Sequence, residues 1–161
     1  MSGARTATRI GIDAVRVARL ARTGRADERV ARAVLGPGEL RWALARPTSP
    51  VRLAAGIALK EAAIKCAGGR RPGFAWHDIR IAPVRPGRCP CGERAEALIR
   101  GLYVDRARAA SVRAPGVSAC CPAGLGAAAA WGCGDGLVVA VVIGRDPARP
   151  EDIDIEGSAA C

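Results

Sequence analysis

Lysine is nearly absent from this chain. Of its 25 basic residues, only Lys60 and Lys65 are lysines, and the other 23 are arginines. Histidine occurs once, at His77, and aromatic side chains make up 3% of the 161 residues. Each shortage excludes something. The basic stretches have no interleaved rings on which bases would stack, and no base-reading motif occurs, so nucleic acid is not the expected partner. No run of 18 apolar residues is present, so no membrane-spanning helix is expected. Met1 to Arg9 holds no apolar stretch ahead of a cleavage site, which speaks against a signal peptide. The expectation is a soluble cytoplasmic protein with no membrane partner. Seven cysteines are an odd number, and without an export signal they do not suggest a disulfide framework. Cys89-Pro-Cys91 and Cys120-Cys121 could join Cys133 or His77 at a zinc ion. Neither pair has the gap of two to four residues usual in structural zinc sites, so they are read as thiols in loops.

What is abundant is positive charge. The net charge of +10 predicts an anionic partner, and acidic proteins and phosphorylated cofactors are the candidates left. The charge is uneven, because the tail after Arg145 carries Asp146, Glu151, Asp152, Asp154 and Glu156. The chain is read as one domain, residues 1–145, followed by an acidic tail, 146–161, expected to be disordered. Its core should be aliphatic and rich in small residues.

Periodicity suggests the elements. Thr8 to Asp13 reads as a strand with Ile10 and Ile12 on one face and Asp13 at its end. A helix follows, with Val17, Leu20 and Ala21 inward and Arg16, Arg19, Arg22 and Arg25 on the opposite side. A second helix is expected from Asp27 to Leu35 with Val30 and Val34 inward, and a short one from Glu39 to Ala45. Leu53 to Ala67 has high helix propensity, and Gly68-Gly69 stops it. Strands are expected at Asp78 to Val84 and Ala97 to Tyr103, a short helix at Asp105 to Val112, and a central strand at Leu137 to Ile143. The run Gly126 to Ala130 is too short to interpret.

The two lysines flank the chemistry. They lie in Lys60-Glu61-Ala62-Ala63-Ile64-Lys65, and Glu61 is the only acid in the 37 residues from Leu40 to Trp76. In an arginine-rich chain, a position that keeps lysine is expected to need a compact ammonium and not a planar fork. On a helix, Glu61 and Lys65 are neighbours one turn apart, which by itself means only a surface ion pair. A strand-end carboxylate at Asp13 facing a helix-borne carboxylate at Glu61 would suit Mg²⁺, which takes its other oxygens from water and phosphate. Lys60, Lys65, Arg70 and the Gly68-Gly69 backbone could then hold the phosphates.

The order of the pieces is more specific than any one of them. Ile10-Gly11-Ile12-Asp13, Leu35-Gly36-Pro37-Gly38-Glu39-Leu40, Lys60-Glu61-Ala62-Ala63-Ile64-Lys65, Gly68-Gly69 and Trp76-His77-Asp78-Ile79 follow one another. This order resembles the 4′-phosphopantetheinyl transferases, nearest the short holo-acyl-carrier-protein synthase type. The resemblance covers Arg9 to Ile81 and resumes at Leu137 to Ile143. It implies an α+β fold, a small antiparallel sheet with the long helix packed against it, as a single-repeat subunit. It also implies a homotrimer with sites between subunits, and coenzyme A as co-substrate. By resemblance, Asp13 and Glu61 hold Mg²⁺, Lys65 contacts the pyrophosphate, and Lys60 and the Gly68-Gly69 loop contact coenzyme A, with Arg70 a phosphate contact on the residues alone. Glu61 or a metal-bound water takes the proton of the carrier serine, and 3′,5′-ADP leaves. Arg16, Arg19, Arg22 and Arg25 would meet the acidic acyl or peptidyl carrier protein.

Two departures stand out. Gly56 and Ile57 occupy places where the family carries an arginine and an aromatic. Ala130-Trp131-Gly132-Cys133 falls where a Ser-Leu-Ser-His motif is usual, which bears on coenzyme A affinity. The leading expectation is transfer of the phosphopantetheine arm. The alternatives are a weakened homologue that binds a carrier protein or synthase without transfer, and a basic anion-binding module.

Overall fold

The computed structural model describes residues 7–21, 25–45, 49–70, 74–82, 90–102, 106–119 and 126–145. The expected acidic tail, Arg22, Cys89, Cys120 and Cys121 lie outside the described residues.

Five strands form one sheet: β1 (Thr8–Arg16), β2 (Arg80–Ala82), β3 (Arg108–Arg113), β4 (Ala127–Gly134) and β5 (Leu137–Arg145). They lie in the order β1-β5-β4-β3-β2, and every pairing is antiparallel. The helices are α1 (Val17–Ala21), α2 (Arg25–Val34), α3 (Pro37–Leu44), α4 (Ser49–Cys66) and α5 (Pro90–Gly101). A 3-10 turn, Trp76–Asp78, leads into β2. The α+β architecture with a long packed helix is the one expected.

The sheet is covered on both faces. One face carries Ala110, Val112, Ala127, Ala129, Trp131, Val138, Ala140 and Val142, and α4 lies on it. The other carries Ala130, Val139, Val141 and Ile143 beneath Ala95 and Ile99 of α5. A third cluster, including Ala31, Val34, Leu35, Ala43 and Leu53, packs α2 and α3 against the outer side of α4. β5 is apolar on both faces because it lies between β1 and β4 with a helix layer on each side.

One contact sets how closely α4 sits on the sheet. A β-carbon at Gly11 would collide with the Ala62 carbonyl oxygen and lie 2.6 Å from the Cys66 amide nitrogen. Backbone meets backbone there, and no side chain fits between. The helix ends at Gly68 and Gly69, both with positive φ, where the Gly69 amide donates to Ile64 O at 2.9 Å and the Gly68 amide to Lys65 O at 3.0 Å. This is the Schellman stop that a Gly-Gly pair favours.

Several expectations need correction. Asp13 does not end its strand, because the ladder with β5 continues to Arg16 opposite Leu137. That pairing also shortens the helix that follows. The Val17 amide donates to Gly136 O at 2.8 Å, at the β4–β5 turn, and α1 spans only five residues. Arg16, Arg19 and Arg25 therefore fall on β1, α1 and α2, not on one helix. Val30 is exposed, and the inward face of α2 runs instead through Ala31, Val34 and Leu35. The segment expected as a strand from Ala97 is the helix α5, with Ala95 and Ile99 buried one turn apart and Arg100 paired to Glu96. The segment expected as a helix to Val112 is β3, where Ala110 and Val112 alternate inward. The alanine run is β4, a strand that propensity disfavours but double-sided burial selects. Cys91 sits in α5 and Cys133 in β4, not in loops.

Gly11→Ala is expected to push α4 off β1. The cost should be about 3 kcal/mol or more, read by denaturant unfolding.

Candidate active site

α4 crosses β1 where Gly11 permits it, and the site residues gather at that crossing. Gly11 and Asp13 share a face of β1, so Asp13 points to the α4 side. Lys65, in the last turn of α4, donates to Asp13 Oδ1 at 2.8 Å and to Ile12 O at 3.0 Å. Lys65 is half exposed and Asp13 largely covered, so the pair itself stabilises little, about 0.2–1 kcal/mol. Its value is positional, since it holds an ammonium against a strand-borne carboxylate. Glu61 lies one turn earlier on α4. It does not pair with Lys65 but faces Arg70, with Arg70 Nη2 at 4.0 Å from Oε1. The Arg70 guanidinium in turn stacks over the Trp76 ring, 5.0 Å from its centroid. Gly68 is exposed between these groups, and a β-carbon on it would lie 3.0 Å from a guanidinium nitrogen of Arg9.

The crossing therefore unites Asp13, Glu61, Lys65, Gly68, Gly69 and Arg70. Two carboxylates each face a cation, beside a Gly-Gly turn that has no side chain to keep a ligand away. Hard oxygen donors of this kind suit Mg²⁺. Among the described residues no three His, Cys, Asp or Glu side chains cluster. An ion on Asp13 and Glu61 would thus keep coordination places for water and phosphate oxygens. Arg16 and Arg19 are exposed, while Arg22 is outside the described residues.

Lys60 is the correction. Read as a coenzyme A contact or a surface partner, it is wholly buried on the other side of α4. Its ammonium pairs with Glu39 Oε2 at 2.7 Å and donates to Val34 O at 2.8 Å and Trp76 O at 2.9 Å. Three acceptors take its three protons, which leaves none for a ligand. Burial holds its pKa below the ordinary lysine value, opposed by the hydrogen bond and charge of Glu39. Glu39, whose role the sequence did not disclose, also accepts from the Gly36 amide at 2.8 Å and the Ile81 amide at 2.6 Å. The signal was its place three residues after Gly36 at the start of α3, the acidic position of a capping box. Trp76 also went unassigned as part of the site. His77 is exposed on the 3-10 turn.

A family model for the 4′-phosphopantetheinyl transferase superfamily matches residues 9–107. The chain belongs to this superfamily. The match includes every residue of the crossing just described. Among its relatives, a holo-[acyl-carrier-protein] synthase of Koribacter versatilis is 38% identical over 80 residues, 48% of this chain and 64% of that protein. One of Moorella thermoacetica is 36% identical over 96 residues, 58% of this chain and 75% of its own length. The alignment thus spans less than two thirds of the Koribacter protein. The fold is similar to that of the holo-[acyl-carrier-protein] synthase of Thermotoga maritima, with a TM-score of 0.56 at 20% identity over 86% of this chain and 64% of that one. It is also similar to the Neisseria meningitidis enzyme, with a TM-score of 0.52 at 20% identity over 84% and 96% of the two chains.

Lys60→Met leaves Glu39 buried without its counter-charge. It is expected to destabilise the fold by about 3–5 kcal/mol. Adding Glu39→Gln, which keeps a carbonyl acceptor, should recover part of the loss in chemical denaturation.

Proposed function

We propose that this protein transfers the 4′-phosphopantetheine arm of coenzyme A to a serine of an apo acyl or peptidyl carrier protein. The observation that carries this reading is the α4–β1 crossing, where Asp13–Lys65 and Glu61–Arg70 pairs meet beside the Gly68-Gly69 loop. The holo-[acyl-carrier-protein] synthases among its relatives support the same reading.

In this reading Asp13 and Glu61 hold Mg²⁺, whose charge, when bound, offsets that of the coenzyme A pyrophosphate. Lys65 uses two of its three protons on Asp13 and Ile12, and the third is available to a phosphate oxygen. Arg70 contacts the rest of the diphosphate, which can come close to the Gly68-Gly69 turn because no side chain stands there; the two amides of that turn are spent on Lys65 O and Ile64 O. The carrier serine Oγ attacks the β-phosphorus. The new O–P bond forms as the bond to the bridging oxygen breaks, and 3′,5′-ADP departs with that electron pair. Glu61 stands to accept the serine proton. The charge that grows on the pyrophosphate during attack is met by Lys65, fixed in advance by its bond to Asp13.

The same reading includes the surfaces. Exposed Arg16 and Arg19, together with Arg22 and Arg25, would dock the acidic carrier protein. Ile10 and Ile12 are 53% and 44% exposed on β1, an edge strand, and give a homotrimer an apolar face on which to assemble. A second reading has one observation in its favour. Trp131 of Ala130-Trp131-Gly132-Cys133 is buried in β4, edge-to-face with Trp42 and beneath Arg108. Packing fills the place where the family's serines and histidine would stand. That favours a homologue that binds a carrier without modifying it.

Apo carrier protein, coenzyme A and Mg²⁺ should give a carrier heavier by one phosphopantetheine in intact-mass analysis. Glu61→Gln should slow the gain by about 100-fold or more. Carrier binding with no mass gain by the wild type would select the second reading. Arg16→Glu with Arg19→Glu should raise the carrier KM roughly tenfold and weaken its salt dependence. Unchanged kinetics would remove that docking surface.

A further inference from the structure

Arg70 follows Gly68 and Gly69, whose φ angles of 89° and 105° take the chain out of the helix. No helical turn braces it, and its side chain is largely exposed. A free arginine in such a place samples many rotamers, and each must be given up when a ligand is bound. Here the guanidinium is not free. It lies over the Trp76 indole at 5.0 Å and reaches within 4.0 Å of Glu61. The indole is itself fixed. Its ring packs against both the sheet-side cluster and the outer helix cluster, and the backbone carbonyl of Trp76 accepts from Lys60 at 2.9 Å. Lys60 is buried and paired with Glu39. An unbroken series of contacts thus runs from the buried ion pair to a cation at the mouth of the site.

We propose that Trp76 is a positioning residue for the diphosphate of the co-substrate. It holds the planar face of Arg70 so that the guanidinium edge is presented beside Glu61, ready for phosphate oxygens. A guanidinium held over a ring face does not spend its edge N–H groups on the ring; Nη2 is turned toward Glu61 at 4.0 Å, and the edge groups are those that take phosphate two at a time. The proposal deepens the transferase reading and rests on it for the identity of the diphosphate. The geometry itself asks only for a polyphosphate.

The test is a double-mutant cycle on Trp76→Leu and Arg70→Met, read in two ways. With coenzyme A and apo carrier protein, Trp76→Leu should raise the coenzyme A KM about 5–20-fold. It should change kcat less than about twofold and leave the carrier KM unaltered, a split that general loosening of the fold would not produce. With inorganic pyrophosphate and Mg²⁺ in a calorimeter, Trp76→Leu and Arg70→Met should each weaken binding about 5–20-fold, and the double variant no more than Arg70→Met alone. Trp76→Phe, which keeps a ring, should stay near wild type. Should Trp76→Leu fail to fold, Arg70→Lys replaces it, because a lysine keeps the charge but has no planar face to stack. A several-fold loss of pyrophosphate binding is then expected. A Trp76→Leu effect that persists undiminished in the Arg70→Met background, or an Arg70→Lys with wild-type affinity, overturns the proposal. So does a wild type that binds no pyrophosphate. A wild type that yields no modified carrier but shows the coupled loss of pyrophosphate affinity overturns the transferase reading and leaves the role of Trp76 standing.

Discussion

An ammonium with no access to water holds the outer half of this fold in place. Lys60 needs three acceptors inside the protein, and it takes them from three elements: the end of α2, the start of α3 and the turn before β2. Glu39 extends the set by binding the amides of Gly36 and Ile81. If any one of these elements shifts, a buried charge loses a partner, which costs far more than the pair contributes when intact. The arrangement therefore favours a single placement of α2, α3 and β2 around α4. Glu61 follows Lys60 in the chain, so the orientation of the site carboxylate is set by the burial of its neighbour.

The sheet side of α4 obeys a different constraint, steric and not electrostatic. Helix backbone rests on strand backbone at Gly11, and the depth of that contact is what lets Lys65 reach Asp13. The site is thus the meeting point of two independent constraints on one helix. Neither is made by a residue that would touch a reacting atom.

This division explains what could be read from the sequence. The scarcity of lysine drew attention to both positions, and at Lys60 three close acceptors do surround a compact ammonium. For Lys65 it also led to the strand that the Gly-Ile-Asp motif announces, where the ammonium meets Asp13. For Lys60 it did not lead to the partner. Which acid faces a buried charge depends on tertiary structure, and Glu39 comes from another helix. The long helix, its glycine stop and the central strand were legible because propensity, pattern and turn chemistry agreed. The segment from Pro90 to Gly134 was not. There α5 has a short apolar stripe between charged residues. β3 and β4 are rich in alanine, whose intrinsic preference is for helix and which the sandwich of α4 and α5 holds extended.

Those alanines have a further consequence. The register aligns Gly11, Val142, Ala129 and Ala110 in one row across four strands, and Asp13, Ala140, Trp131 and Arg108 in the next. The first row carries nothing larger than Val142, and α4 lies on that face of the sheet. The second carries an acid at one end and a stacked guanidinium at the other. The helix rests like a beam chiefly on β1 and β5, and also touches β4, β3 and β2. Its height at the β1 end depends on residues under its middle as well as on Gly11. A methyl group added at Ala129 or Ala110 would raise one support and tilt the beam. Lys65 would then lift away from Asp13. Small residues elsewhere on the sheet act here as a gauge for the distance between α4 and Asp13.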